Sequence, residues 1–152
     1  METLVLEVRN VFKSTNYFDY ILRAAELGHL GVYQLVTETC VDKNPTFYIS
    51  KTTPLHKAAD RGHLSICQFV IENTVVKNPK ICLGPMDGWT PLHYAARYGH
   101  YEVCKLIVEN VYDKNPWSHR SFDGCWTPLG VAEKYGHLAI CRLIRSAIHL
   151  WE

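Results

Sequence analysis

No run of apolar residues in this sequence approaches the roughly 18 that a membrane-spanning helix requires. The amino terminus, Met1-Glu2-Thr3-Leu4-Val5-Leu6-Glu7-Val8-Arg9, is broken by charge before the core of a secretory leader could form. A dominant charge is also missing. Sixteen Lys+Arg against 15 Asp+Glu leave +1, so nothing draws the whole chain towards nucleic acid or an anionic membrane. Six cysteines include no Cys-x-x-Cys pair. There is no Gly-x-Ser-x-Gly, no Gly-rich phosphate loop and no His-Glu-x-x-His, so the common signatures of acyl transfer, phosphoryl transfer and zinc hydrolysis are missing. The composition that is present, 47% hydrophobic and 20% charged residues over 152 positions, is enough for one folded domain. The expectation is a monomeric, non-enzymatic protein of the cytoplasm or nucleus that needs no cofactor or metal and binds neither membrane nor nucleic acid.

The positive signal is repetition. Thr53-Pro54-Leu55-His56, Thr90-Pro91-Leu92-His93 and Thr127-Pro128-Leu129-Gly130 are spaced 37 residues apart. A Gly-His pair comes at a fixed distance after each, at Gly62-His63, Gly99-His100 and Gly136-His137, and an earlier pair, Gly28-His29, lies 34 residues before the first of these. Lys43-Asn44-Pro45, Lys77-Asn78-Pro79 and Lys114-Asn115-Pro116 keep the same phase.

Each unit has a physical reading. Thr53, Thr90 and Thr127 suit a helix N-cap, and proline suits the first helical position, where no N–H is needed. Ala58-Ala59, Ala95-Ala96 and Ala132 give a short first helix small side chains for close approach. Gly62, Gly99 and Gly136 then stop it in a left-handed turn. A second helix comes next, with a buried face at spacings of three and four: Leu64, Ile66, Cys67, Phe69, Val70 and Ile71, then Val103, Cys104, Leu106, Ile107 and Val111. Asn-Pro ends that segment, because the residue before proline disfavours helix. Asp87-Gly88 and Asp123-Gly124 supply turn chemistry before the next cap.

Thr-Pro-Leu-His-x-Ala-Ala-x-x-Gly-His with a second helix after it resembles the ankyrin repeat, over about residue 19 to the end. The resemblance implies an all-α solenoid of stacked helix–loop–helix units with hairpin-like finger loops. The expected divisions of the single domain 1–152 are an N-terminal half-unit helix (1–18), repeats at 19–52, 53–89 and 90–126, and a C-terminal repeat at 127–152. The half-unit rests on Val8-Arg9-Asn10-Val11-Phe12, which echoes Val108-Glu109-Asn110-Val111-Tyr112. The spacing departs from the usual 33 residues, being 34 and then 37, with the extra residues between Asn-Pro and the next threonine. Thr74 and Val111 stand where a glycine often ends the second helix, so that helix is expected to run on by about one turn. An enlarged finger is the alternative. In the last unit Gly130 replaces histidine and Glu133 replaces the second alanine, which suits a solvent-facing end.

Eight histidines invite a metal reading, but four belong to the Gly-His marker and two to the helix start. The resemblance implies that such histidines tie loops and neighbouring repeats by hydrogen bonds. Cys67, Cys104 and Cys141 recur inside apolar helix and read as small hydrophobes. Cys40, Cys82 and Cys125 lie outside that position, and reactivity there would need a lowered thiol pKa. Asn44, Asn78 and Asn115 read as turn residues, although they also resemble the position at which ankyrin repeats can be hydroxylated.

The resemblance further implies that a protein partner binds the finger tips and the inner face of the first helices. The positions before Gly-His are Asp60-Arg61, Arg97-Tyr98 and Lys134-Tyr135; those before the threonines are Thr52, Trp89 and Trp126; finger positions are Ile49, Ser50, Met86, Asp87, Phe122 and Asp123. Trp, Tyr and Arg are the residue types enriched in binding hot spots. Arg61, Arg97 and Lys134 favour an acidic, partly apolar segment of the partner. For Trp89 and Trp126, packing between adjacent fingers is the competing role.

Overall fold

The computed structural model describes residues 17–38, 43–46, 52–81, 86–118, 120–121 and 126–149. The expected half-unit at 2–13, the finger positions Ile49, Ser50, Phe122 and Asp123, and Cys40, Cys82 and Cys125 lie outside the described residues.

Among the described residues the chain forms four helix pairs. They are α1 (Tyr17–Leu27) with α2 (Leu30–Thr37), α3 (Pro54–Arg61) with α4 (Leu64–Asn73), α5 (Pro91–Tyr98) with α6 (Tyr101–Asn110), and α7 (Pro128–Lys134) with α8 (Leu138–His149). Each pair is one layer, and layers stack in chain order, first helix on first helix and second on second. The first helices pack more closely than the second, because Ala24, Ala25, Ala58, Ala59, Ala95 and Ala96 are buried where they meet. The layers are therefore in their most extensive contact on the first-helix side. The protein is an all-α solenoid with finger loops, and two fingers touch through a short antiparallel pair, β1 (Met86–Asp87) with β2 (Arg120–Ser121), Met86 opposite Ser121.

The helix boundaries come from the repeat chemistry. Thr53 and Thr90 are extended N-caps, and the histidine three residues on reaches back: the Thr53 N–H donates to His56 Nδ1 and the Thr90 N–H to His93 Nδ1, both at 3.1 Å. That reciprocal arrangement is ordinarily made by Glu or Gln. In the last layer, with Gly130 in the histidine's place, the Thr127 hydroxyl accepts the Gly130 N–H at 3.1 Å. Gly62 closes α3 at φ 75°, and the His63 N–H bonds the Ala58 carbonyl at 2.9 Å. The φ is only half of the reason for glycine: a Cβ on Gly62 would lie 2.5 Å from the His100 ring of the next layer. On Gly136, in the last layer, it would meet nothing within 4 Å.

The extra turn expected for the second helix is not there. The C-caps Thr74 and Val111 are extended, and α4 and α6 stop at Asn73 and Asn110. The additional residues belong to the fingers, whose stems are closed by Ile81 N–H to Trp89 O and Ser118 N–H to Trp126 O, both 2.8 Å. Part of the stop is made by the lysine of Lys-Asn-Pro. Lys114 Nζ donates to the carbonyls of Val108 and Val111 at 2.6 and 2.7 Å, occupying acceptors that the end of a helix leaves open.

The core runs continuously through all four layers. Cys67, Cys104 and Cys141 are buried in it as free thiols. Burial pushes the thiols of Cys67 and Cys104 up to about 12. Leu64, expected on the buried face of α4, is instead 38% exposed. At the other end, Glu133 pairs with Arg145 in the open, so the last layer presents a charged outer surface.

Candidate functional site: the inner face of the first helices

Three sets of bonds hold the inner face rigid, and each joins one layer to the next. His63 Nε2 donates to the Glu26 carbonyl (2.9 Å), His100 Nε2 to that of Asp60 (3.0 Å) and His137 Nε2 to that of Arg97 (3.0 Å). His56 Nε2 donates to Trp89 O (3.3 Å) and His93 Nε2 to Trp126 O (3.1 Å). The side-chain oxygens of Asn44, Asn78 and Asn115 accept the N–H groups of Leu55, Leu92 and Leu129, at 2.9, 3.3 and 3.0 Å. The asparagine of the marker is thus a cap for the next layer's first helix.

The tautomers are set by the partners. A carbonyl only accepts, and on His56 and His93 the Nδ1 already accepts from threonine, so both rings carry their proton on Nε2. Burial holds both far down, at about 4, although the carbonyls bonded to Nε2 pull the other way. Five histidines are therefore committed to the frame. Among the described residues, no three His, Cys, Asp or Glu side chains come together as a metal site would require.

On this frame stands a column of side chains two residues before each Gly-His: Glu26, Asp60, Arg97 and Lys134. Their register is fixed because the first three contribute the carbonyls that the histidines grip. Beside them stand Leu27, Arg61, Tyr98 and Tyr135. The column changes character halfway. In the first two layers the charges satisfy one another: Glu26 pairs with Arg23 and Arg61, each at 3.1 Å, and Arg61 also lies 3.5 Å from Asp60. Burial tends to raise the pKa of Glu26, but hydrogen bonds from Arg61 and Arg23 and the charge of Lys57 outweigh it and hold the carboxyl below its ordinary value.

In the last two layers the cations lie close to rings. The Arg97 guanidinium carbon lies 5.3 Å from the ring centre of Tyr98, 5.5 Å from that of Tyr135 and 5.9 Å from that of Trp89. Lys134 Nζ sits 4.8 Å over Trp126. These are cation–π distances. Tyr98 and Tyr135 remain 49% and 45% exposed.

The residues singled out from the sequence thus divide. Asp60, Arg61, Arg97, Tyr98, Lys134 and Tyr135 form one continuous inner strip. Trp126 and Thr52 are half-buried at its edge, and Met86 and Asp87 are half-buried in a finger. Trp89 is only 4% exposed, stacked on His93 at 5.4 Å and edge-on to Tyr94 at 5.2 Å, so it packs in the core and supports Arg97 from beneath. Among the described residues its buried indole Nε1–H has no hydrogen-bond partner. Sequence reasoning misses Glu26, although its place two residues before Gly28-His29 marks it. It also misses a second exposed apolar group on the loops after α4 and α6: Val75 is 96% exposed, Tyr112 89% and Trp117 64%. Val75 and Tyr112 hold the same repeat position and flank a groove of about 340 Å³.

Stacked helix pairs joined by fingers define a repeat protein of the solenoid class. The family model for ankyrin repeats in three copies matches residues 21–117, and that for ankyrin repeats in many copies matches residues 92–145. The chain belongs to the ankyrin-repeat family. No curated protein matches it. Ankyrin repeats generally mediate protein–protein interaction.

Proposed function

We propose that this chain is a binding module that holds a protein partner against the inner strip and fingers and performs no chemistry of its own. The observation that carries the reading is the cation-bearing aromatic strip of half-buried Arg97 with exposed Tyr98, Lys134 and Tyr135, standing on backbone that interlayer bonds hold in register. Arginine and tyrosine, rigid or pre-organised and amphipathic, lose little freedom on binding and bury much area. The partner is an acidic, partly apolar protein segment. The module works as a monomer in the cytoplasm or nucleus, where buried free thiols stay reduced, and it engages neither membrane nor nucleic acid.

Photo-crosslinking inside the cell tests this reading. A benzophenone side chain placed at Tyr98 or Tyr135 should trap a discrete protein, whereas one at Val75 should not. Adducts formed from Val75 alone would move the binding surface to the loops behind the stack.

A further inference from the structure

We propose that the open face of the first layer is a docking surface for residues 2–13 of the same chain, which cover α2 as the second helix of an incomplete layer. The inference concerns one end of the stack and is independent of the inner strip.

The first layer carries half of an interlayer contact. Three positions that are buried or bonded in every later layer stand open in it. Val32 is 49% exposed, whereas its counterparts Ile66, Val103 and Ile140 are at most 1% exposed. Tyr20 is 46% exposed, where Pro54, Pro91 and Pro128 are buried. His63, His100 and His137 each donate to a carbonyl of the layer before. The His29 ring is exposed and makes no hydrogen bond among the described residues. The two ends of the stack also differ. Glu133 and Arg145 give the last layer a charged outer surface, but the first layer leaves apolar Val32 and Leu27 about half-exposed. Repeat stacks need a polar cover at each end, and an uncovered apolar end is a site of association.

Residues 2–13 have the pattern that fits this face. Leu4, Val5, Val8, Val11 and Phe12 recur at spacings of three and four, as one side of a helix does. A helix of that length spans about 18 Å, more than the eight-residue α2 requires. The register follows from Val8-Arg9-Asn10-Val11-Phe12, which echoes Val108-Glu109-Asn110-Val111-Tyr112 at the end of α6. In that register Leu4 and Val8 match the buried Cys104 and Val108. Glu7 falls on the position of Val70, Ile107 and Ile144, all fully buried. Inside a complete layer a carboxylate there would be buried and unpaired. A single covering helix, with no first helix packed on that side, leaves it in water. The segment therefore suits a cover with an apolar inner side and a polar outer one.

Photo-crosslinking of the purified intact chain tests this. A benzophenone side chain at Val32, a half-exposed position that tolerates replacement, should form an adduct with residues 2–13 of the same molecule. The mass should remain that of a monomer. Hydrogen exchange of the Leu4→Asp/Val8→Asp double variant gives a second measurement. Its α2 amides should exchange at least tenfold faster than those of the parent, with α5 to α8 unchanged. If that variant fails to fold, the crosslink made in the otherwise unaltered chain still decides. Adducts that join two molecules through Val32 would assign the face to a second copy and overturn the proposal. Adducts from Val32 that miss residues 2–13 altogether, or unchanged exchange in α2 of a folded variant, would overturn it as well.

Discussion

The imidazole of His100 donates from Nε2 to the backbone oxygen of Asp60, 40 residues earlier in the chain, at 3.0 Å, and its ring lies where a Cβ on Gly62 would have to go. One side chain therefore both ties two layers together and forbids any residue but glycine beneath it. The same relation holds between His63 and Gly28 and between His137 and Gly99. It is absent at Gly136, where no further layer stands among the described residues.

That difference sets the first prediction. Gly136→Ala carries only the cost of a left-handed backbone, about 1–2 kcal/mol. Gly62→Ala adds the collision with His100 and should cost about 3 kcal/mol or more. Urea melting of the two variants compares them directly. Equal losses would mean that the histidine does not press on the glycine.

Stability should fall with acid. His56 and His93 sit at about 4 in the folded state against 6.5 in the free chain, so the unfolded state binds more protons between those values. Their full stabilising contribution is present above pH 6.5 and is lost progressively as pH falls towards 4. The linked free energy is about 3 kcal/mol per histidine at most. Glu26, held low by its arginines, adds loss in the same direction at still lower pH. The urea midpoint should drop steadily from pH 7 to 4.5; a flat midpoint would contradict the buried, neutral rings.

Cys67 and Cys104 should resist a thiol reagent at pH 8 in the folded protein and react on unfolding, because burial holds both thiols near 12. Cys104→Asp should cost about 3–5 kcal/mol by leaving a buried charge unpaired. A variant that melts like the parent would place Cys104 at the surface.

The two tryptophans should behave differently. Trp89→Ala removes a ring that is 4% exposed and should destabilise the fold by about 3–5 kcal/mol. Arg97→Ala should leave melting nearly unchanged and weaken partner binding by about 2 kcal/mol or more. Trp126→Ala, half-buried under Lys134, should affect both. Paired melting and binding measurements on the three variants would separate support from contact.

Most of the frame is legible in the sequence, because repetition fixes which residues share a role. Thr-Pro marks each main helix start, Gly-His each stop, and the recurring cysteines sit in the core. Where one unit degenerates, as at Asp19-Tyr20-Ile21-Leu22, the stop at Gly28 survives and α1 still forms. The length of the second helix is not legible in the same way, because a missing glycine does not by itself mean continuation. Lys114, a few residues past the end of α6, helps to make that boundary through bonds to backbone carbonyls that local propensity does not register. The type and repeat position of Trp89 point to the binding strip. Its burial depends on contacts with His93 and Tyr94, which periodicity does not specify. The ion pairs at the start of the inner column become visible only when Glu26 is counted in it. The first unit hides that residue because it has lost its Thr-Pro-Leu-His start.

Hydrogen–deuterium exchange of the full chain, alone and with its crosslinked partner's binding segment added, tests the central claim most directly. The account predicts added protection confined to the fingers and to α5 and α7, the helices that carry Arg97 and Lys134. Protection confined to α4, α6 and the Val75 and Tyr112 loops, with α5 and α7 unchanged, would contradict it.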